Sequence, residues 1–437
     1  LASAPALASA PASASASASI SVDDLMRAAW SAHERGSRSE AIAACDEAVA
    51  LATRESGESS RAVADVLDQF ATIAIAQGNL VRGKQLLERL GSMRWKLLGP
   101  ADPQVADAAD RLARLLAESG EYERAMPLAT RALAVRMKAV ATHPAAAAES
   151  LLLVGKIELG RGDPAAAAAR VEEARPLLVT AESSGRDHAD GRTVSAARLA
   201  LVRLLVDLGD LQAASVAADR LVSDISSDRP VSRSMAEEIL LAAARAHRLA
   251  GDADGAAAIA GRLVGMAQTP SSGGVCLVEL ALAQRAAGDA RWEAAAIESG
   301  RVLVRYVRRL SPAATDPAAI DAVAELAAVW LETGRSDRAD EAITAASIAA
   351  AAIPPVHPVA VRIGRLAALA AMSDGDESKA REILAGSKAS ARHGVRPVAA
   401  DRQQAFLTRV TDAADVEAVL RHQPRQAAAS VSAAPSP

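Results

Sequence analysis

Aromatic residues are almost missing from this sequence of 437 residues, which has four Trp, two Tyr and two Phe. A core without large rings must be filled by Ala, Leu and Val. Ala and Leu are strong helix formers, whereas sheets draw on β-branched and aromatic residues, so the shortage favours close-packed helices. Two cysteines, Cys45 and Cys276, are too few for a disulfide framework, and neither lies in a CxxC or His-rich cluster. No run of 18 or more apolar residues occurs, and residues 339–353 are interrupted by Asp340 and Glu341, so no membrane span is expected. Charge is also nearly balanced, with 49 Lys and Arg against 53 Asp and Glu, for a net charge of −4. A general nucleic-acid binder would show a basic excess or a basic patch with stacking aromatics, so no nucleic-acid partner is expected. Phosphate-cradling glycine loops are missing too. The segment GDADGAAAIAG around Gly251 follows a helical pattern rather than a strand, and its glycines read as turn and packing positions.

What is there is a core-forming chain, 51% hydrophobic and 23% charged. Residues 1–20 consist almost entirely of Ala, Ser and Pro, cannot bury enough surface to offset ordering entropy, and read as a disordered leader. The first residue is Leu1 rather than Met, which fits either a cleaved export signal or a fragment boundary. The leader favours an exported location over a cytoplasmic one. Residues 423–437 read as a disordered tail.

Between these ends the chain repeats. Glycines that close an apolar run stand at 36, 78, 120, 162, 209, 251, 288, 334 and 375; the first three steps and that from 209 to 251 are each 42 residues. Only a structural repeat produces this spacing. Six of these glycines are followed by Asn or Asp (Asn79, Asp163, Asp210, Asp252, Asp289, Asp376), the chemistry of a tight turn leading into a second helix. Seven residues before the glycine the side chain is small in every repeat but one: Ala29, Ala71, Ala113, Gly155, Val202, Ala244, Ala281, Ala327 and Ala368. Five residues after it stand Ala41, Gly83, Ala125, Ala167, Ala214, Ala256, Glu293, Ala339 and Ala380, and Ala294 is expected to replace Glu293 through a turn one residue longer. Four residues further on, larger apolar residues recur: Cys45, Leu87, Val171, Ile297, Ile343 and Leu384. Small residues facing small ones let two helix backbones approach closely, and the larger residue fills the next turn.

Helix starts are marked by Asp102-Pro103, His143-Pro144, Asp316-Pro317 and His357-Pro358, since proline at the first helical position costs no hydrogen bond. Thirteen residues before each turn an acid recurs (Asp23, Asp65, Asp107, Glu149, Glu238, Asp321), which is expected to complement the helix dipole. The 37-residue step between Gly251 and Gly288 is expected to hold a linker, QTPSSGG, and to relax the stack there.

The segment LGPADPQVA from Leu98, with LARLLAESGEYERAMPLATRAL from Leu112 to Leu133, resembles tetratricopeptide repeats of the 42-residue kind found in kinesin light chains and bacterial relatives. The resemblance covers roughly residues 21–392. It implies an all-α, right-handed superhelical solenoid of about nine helix pairs whose first helices line a concave groove that binds peptides or protein segments. It also implies no catalysis and no cofactor. The paired asparagines of the kinesin light chain groove are not matched here: the corresponding positions hold Asp110 and Arg111, or Leu152 and Leu153, which sets the chain apart from that cargo mode. The repeats would occupy residues 21–395. Residues 396–422, with Phe406, Leu407, Val410, Val416, Val419 and Leu420 at helical spacing, are expected to cap the stack.

Six residues before the turn, at a position the resemblance places in the groove, stand Arg114, Lys156, Arg203 and Arg245, and Arg248 and Arg285 extend the same side. Such a row would attract an acidic segment. Arg114 has Asp110 and Glu118 four residues away and Arg203 has Asp207, so intrahelical pairing competes; Lys156 and Arg245 have no acid at that spacing and are expected to be free. The seven histidines never form HxxxH or HExxH. His188, with Asp187 and Asp190, lies in the longest insertion and reads as a polar surface loop rather than a weak cation site. Cys45 and Cys276 read as small core residues. The expected role is a non-enzymatic scaffold that binds a protein or peptide, acidic if the cation row decides, without metal or cofactor. The competing roles are a repeat sensor or regulatory module of a larger kinase, protease or transcription factor, or an exported envelope assembly protein.

Overall fold

The computed structural model describes residues 20–183, 188–226, 231–267, 269–310, 316–351, 353, 358–376 and 378–383. Among them there is no strand. The helices come in pairs: α1 (Val22–Glu34) with α2 (Arg38–Ser56), α3 (Arg61–Ala76) with α4 (Leu80–Leu98), α5 (Pro103–Glu118) with α6 (Tyr122–Lys138), α7 (Pro144–Gly160) with α8 (Pro164–Ser183), and α9 (His188–Leu208) with α10 (Leu211–Ser226). They continue with α11 (Arg233–Leu249) and α12 (Ala253–Val264), α13 (Pro270–Ala286) and α14 (Trp292–Val307), α15 (Pro317–Glu332) and α16 (Ser336–Ala350), and α17 (Pro358–Ser373) with α18 (378–383). The protein is an all-α solenoid of stacked helix pairs. The leader, the expected cap at 396–422, the tail and Leu384 lie outside the described residues.

The nine turn glycines all adopt positive φ, from +70° to +89°. This left-handed conformation lets the residue after the glycine donate its N–H to a carbonyl five residues back, as Asn79 does to Ala74 and Asp252 to His247. In the longer seventh turn Asp289 accepts from Arg291, just before α14; in the other five the Asn or Asp at that position accepts with its side chain from the first turn of the next helix: Asn79 from Arg82 N–H, Asp163 from Ala166, Asp210 from Ala213, Asp252 from Gly255 and Asp376 from Lys379. One residue thus ends one helix and caps the next. Prolines 103, 144, 317 and 358 each open a helix, as expected. A second pair of positive-φ glycines, Gly57 and Gly99, ends α2 and α4; these also stand one repeat apart, a regularity the sequence reading missed.

Both columns of small residues are buried where they were expected, from Ala29, Ala71 and Ala113 to Ala368 on the first helices and from Ala41 and Ala125 to Ala380 on the second. The seventh pair departs. Glu293 is half-exposed and Ala294 exposed, and Ala296 is the buried residue, because the turn before α14 is three residues longer rather than one. Ile297 is consequently not in the core but 36% exposed, and Gly300 takes its place against Trp330. The expected linker QTPSSGG is also corrected: Thr269 is the N-cap of α13, it exchanges a capping box with Ser272, and Pro270 to Gly274 form the first turns of that helix. Gly274 is there because an added Cβ would lie 2.6 Å from Leu303 Cγ.

The first helices pack against one another along one side, α1 on α3, and then each on the next from α5 through α7, α9, α11, α13 and α15 to α17, while among second helices α14 and α16 do so to a similar extent. First helices therefore crowd the inner, concave side and second helices fan out on the outer one. The coil brings Arg38, at the start of α2, to within 3.5 Å of the Tyr306 hydroxyl on α14, which in turn donates to Asp316 at 3.1 Å.

Candidate functional site: the inner groove

A cavity of about 600 Å³ opens on the inner side between α5 and α11. Its aliphatic walls are formed by residues such as Leu152 and Leu153 from α7, Leu199 and Ala200 from α9, and Met235 and Leu241 from α11, with charged side chains between them. The four predicted cations Arg114, Lys156, Arg203 and Arg245 all line it. The repeat spacing sets this: each stands six residues before a turn glycine, and successive first helices are packed side by side. The same walls carry Glu118, Glu149, Asp207 and Glu238, so the groove is not a field of one sign.

Most of the row is committed internally. Arg114 donates to Asp110 at 3.1 Å, the expected intrahelical pair, and to Glu149 of the next repeat at 2.7 Å. Burial works against its charge, but Asp110 and Glu149 hold the guanidinium above its ordinary value. Arg203 meets Glu238 of the next repeat at 3.0 Å. Arg245 was expected to be free and is not. It reaches across α13 to Glu325 at 2.8 Å and Asp321 at 3.9 Å on α15, and Glu325 is the main reason its proton is held above the usual arginine range. Arg248 pairs with the buried Glu279 of α13 at 2.6 Å, and Arg285 with Glu332 at 2.7 Å. Arg362 of α17 joins the same group through Asp321 at 2.7 Å and Glu325 at 3.3 Å. Burial raises the carboxyls of Asp321 and Glu279; for Glu325 burial acts the same way, but Arg245, Arg362 and Arg248 outweigh it and its value falls.

Lys156 alone among the six matches the expectation of freedom. It is half-buried in the cavity wall and makes no ion pair or hydrogen bond with a described residue. The reason lies in the next repeat, where the acid column carries Ala196 instead of an acid.

The recurring acids are therefore not chiefly dipole partners. Glu149 and Glu238 sit more than a turn inside α7 and α11; Glu149, Glu238 and Asp321 pair with Arg114, Arg203 and Arg245 of earlier repeats, whereas Asp107 pairs with Arg136 on its own partner helix. The sequence alignment contained both columns, at positions six and thirteen before the glycine, but reading each within its own helix hid their meeting across repeats. Also missed was a buried polar centre: Asp110 accepts from Ser150 Oγ at 3.0 Å and lies 3.3 Å from Arg136. Its counterpart one repeat earlier is Asp68, paired with Arg94 at 2.7 Å and with Arg111. Cys45 and Cys276 are buried, and burial pushes each thiol up to about 12, which leaves neither as a nucleophile at neutral pH. His188 opens α9, while Asp187 and the insertion before it lie outside the described residues; no cluster of potential metal ligands occurs among the described ones.

No family model and no curated protein matches this sequence. Solved structures similar to it include tetratricopeptide-like repeat proteins. A putative kinesin light chain of Podosopora anserina with nearly identical TPR-like repeats is 18% identical, with 46% of this chain and 93% of that one covered at a TM-score of 0.38. BtubC from P. vanneervenii is 16% identical over 54% of this chain and 92% of that one, at a TM-score of 0.37. A Rap protein crystallised with competence and sporulation factor is 11% identical over 92% of this chain and 99% of that one, at 0.44. The solenoid itself rests on the pairing and stacking of its helices described above. No helix among the described residues is long and apolar enough to cross a membrane.

Proposed function

We propose that the solenoid is a non-enzymatic scaffold that binds an extended peptide or protein segment in the inner groove between α5 and α11. The observation that carries this reading is Lys156, a half-buried ammonium without a partner among the described residues, set in a cavity of about 600 Å³ whose walls alternate aliphatic and charged side chains. Desolvating a cation without a counter-charge is costly, and a carboxylate from a ligand would supply the missing partner. The groove's equal numbers of cations and acids favour a mainly apolar segment carrying one acidic side chain over a run of acids. Arg114, Arg203 and Arg245 then act through shape, since their internal pairs fix the walls.

The test is peptide selection by display against the immobilised protein, followed by binding of the selected peptides to wild type, Lys156→Met and Lys156→Glu. Apolar peptides with a single acid should emerge, and Lys156→Glu should weaken them at least tenfold, more than Lys156→Met does. Selected peptides that bind Lys156→Glu as tightly as wild type would remove the groove reading.

A further inference from the structure

The outer side of the solenoid carries a second feature, independent of the groove. Trp95, Leu97 and Met137 are 40%, 42% and 42% exposed, although most large apolar residues of the chain are buried. Trp95 and Met137 are one repeat apart in sequence, so they occupy the same position on the last turns of successive second helices, α4 and α6. A lysine follows each: Lys96 and Lys138, both exposed and neither paired with a described residue. Arg131, in the middle of α6, ties that helix to the end of α4, its guanidinium 4.9 Å from the centre of the Trp95 ring. Acids are scarce here, for α4 contains only Glu88 and α6 only Glu123, both in earlier turns. The nearby Arg94, Arg111 and Arg136 offset Asp68, Asp107 and Asp110, leaving Lys96, Lys138 and Arg131 as a local positive excess on a chain whose net charge is −4.

Exposed Trp, Leu and Met with lysines next to them in sequence have the composition of a bilayer-interface contact: rings and aliphatic tips enter the headgroup boundary while ammonium groups meet lipid phosphates. A nucleic acid would gain nothing from Leu97 and Met137, and one Trp95 face is already covered by Arg131. Because the residues stand at helix ends on the outer, convex side, they can reach a flat surface without any rearrangement of the stack. We propose that the ends of α4 and α6 dock the solenoid peripherally on an anionic lipid surface, with Trp95, Leu97 and Met137 at the interface and Lys96, Lys138 and Arg131 on the headgroups.

The test is co-sedimentation with phosphatidylcholine vesicles and with vesicles in which about a third of the lipid is phosphatidylserine. Wild type should sediment with the anionic vesicles only, and added salt should release it. Each lysine near such a surface contributes enough that Lys96→Gln with Lys138→Gln should lower the partition coefficient about thirtyfold. Leu97→Ser with Met137→Ser should lower it at unchanged charge, and Lys156→Glu should leave it intact. All three variants change surface or groove side chains, and unchanged thermal melts would verify their folds. Wild type remaining in solution with both vesicles, or lysine and apolar variants that sediment as wild type does, would overturn the proposal. So would capture of an acidic peptide through these same residues in a protein that ignores vesicles.

Discussion

Asp110 shows how one side chain can serve two helix pairs. Its carboxylate lies 3.1 Å from Arg114, 3.3 Å from Arg136 and 3.0 Å from Ser150, with Arg136 on the partner helix and Ser150 on the next pair. One repeat on, the positions of Asp110 and Arg136 are held by Leu152 and Leu178, both buried in the same apolar cluster. The register thus accommodates either an ion pair or two leucines. Breaking a buried pair strands a charge, whereas replacing both partners need not. Because Arg114 still faces Asp110, Arg136→Leu should cost about 1 to 3 kcal/mol, and Asp110→Leu added to it should recover much of that loss, as judged by denaturant unfolding. Glu149 offers a pH signature. Burial holds its carboxyl above the ordinary value, so the folded state binds the proton more tightly than the unfolded chain does. Its contribution to stability is present at acid pH and is lost as pH rises through the folded-state value. Glu149→Gln, permanently neutral, should melt with wild type near pH 4 and above it at pH 7.

At the scale of the helix, the turn glycine and the Asn or Asp behind it are the punctuation. Glycines inside helices do different work, which their surroundings distinguish. An added Cβ at Gly300 would lie 2.4 Å from the Trp330 ring, so α14 approaches α15 only because that position is bare. At Gly261 on α12 nothing lies within 4 Å. Gly261→Ala should thus stabilise by up to about 1 kcal/mol through helix propensity. Gly300→Ala should instead destabilise by about 1 to 3 kcal/mol through overpacking. Thermal melts of the two single variants would compare them, and shifts of the same sign would contradict the assigned packing.

Across the whole molecule, stability is expected to be a sum over neighbouring pairs, because each pair covers its apolar face only with the next. The Arg245 group adds a longer tie. Arg245 on α11, Arg248 with Glu279 on α13, Asp321 and Glu325 on α15 and Arg362 on α17 form one cluster along the inner side, spanning four first helices. Such a strut is expected to hold the curvature of the second half. Glu325→Gln should keep the helicity but loosen the coil, read as a larger radius of gyration in solution scattering. Unchanged scattering would mean that packing alone sets the curvature.

The spacing of the glycines, the two columns of small residues and the prolines at helix starts made the helix pairs and most of their buried faces legible in the sequence, because these features answer to local backbone geometry. The sequence also placed Arg114, Lys156, Arg203 and Arg245 on one wall. It could not tell which of them were engaged, since an ion pair between repeats depends on how far the stack curves, and Arg245 finds its acids on α15, beyond α13. The longer turn before α14 escaped for a related reason: Ala294 and Ala296 are the same residue type, and only packing against the neighbouring helices selects Ala296 for burial. Local chemistry determined the elements and their period; the curvature of the assembled coil decided which groove charges meet and left Lys156 without a partner among the described residues.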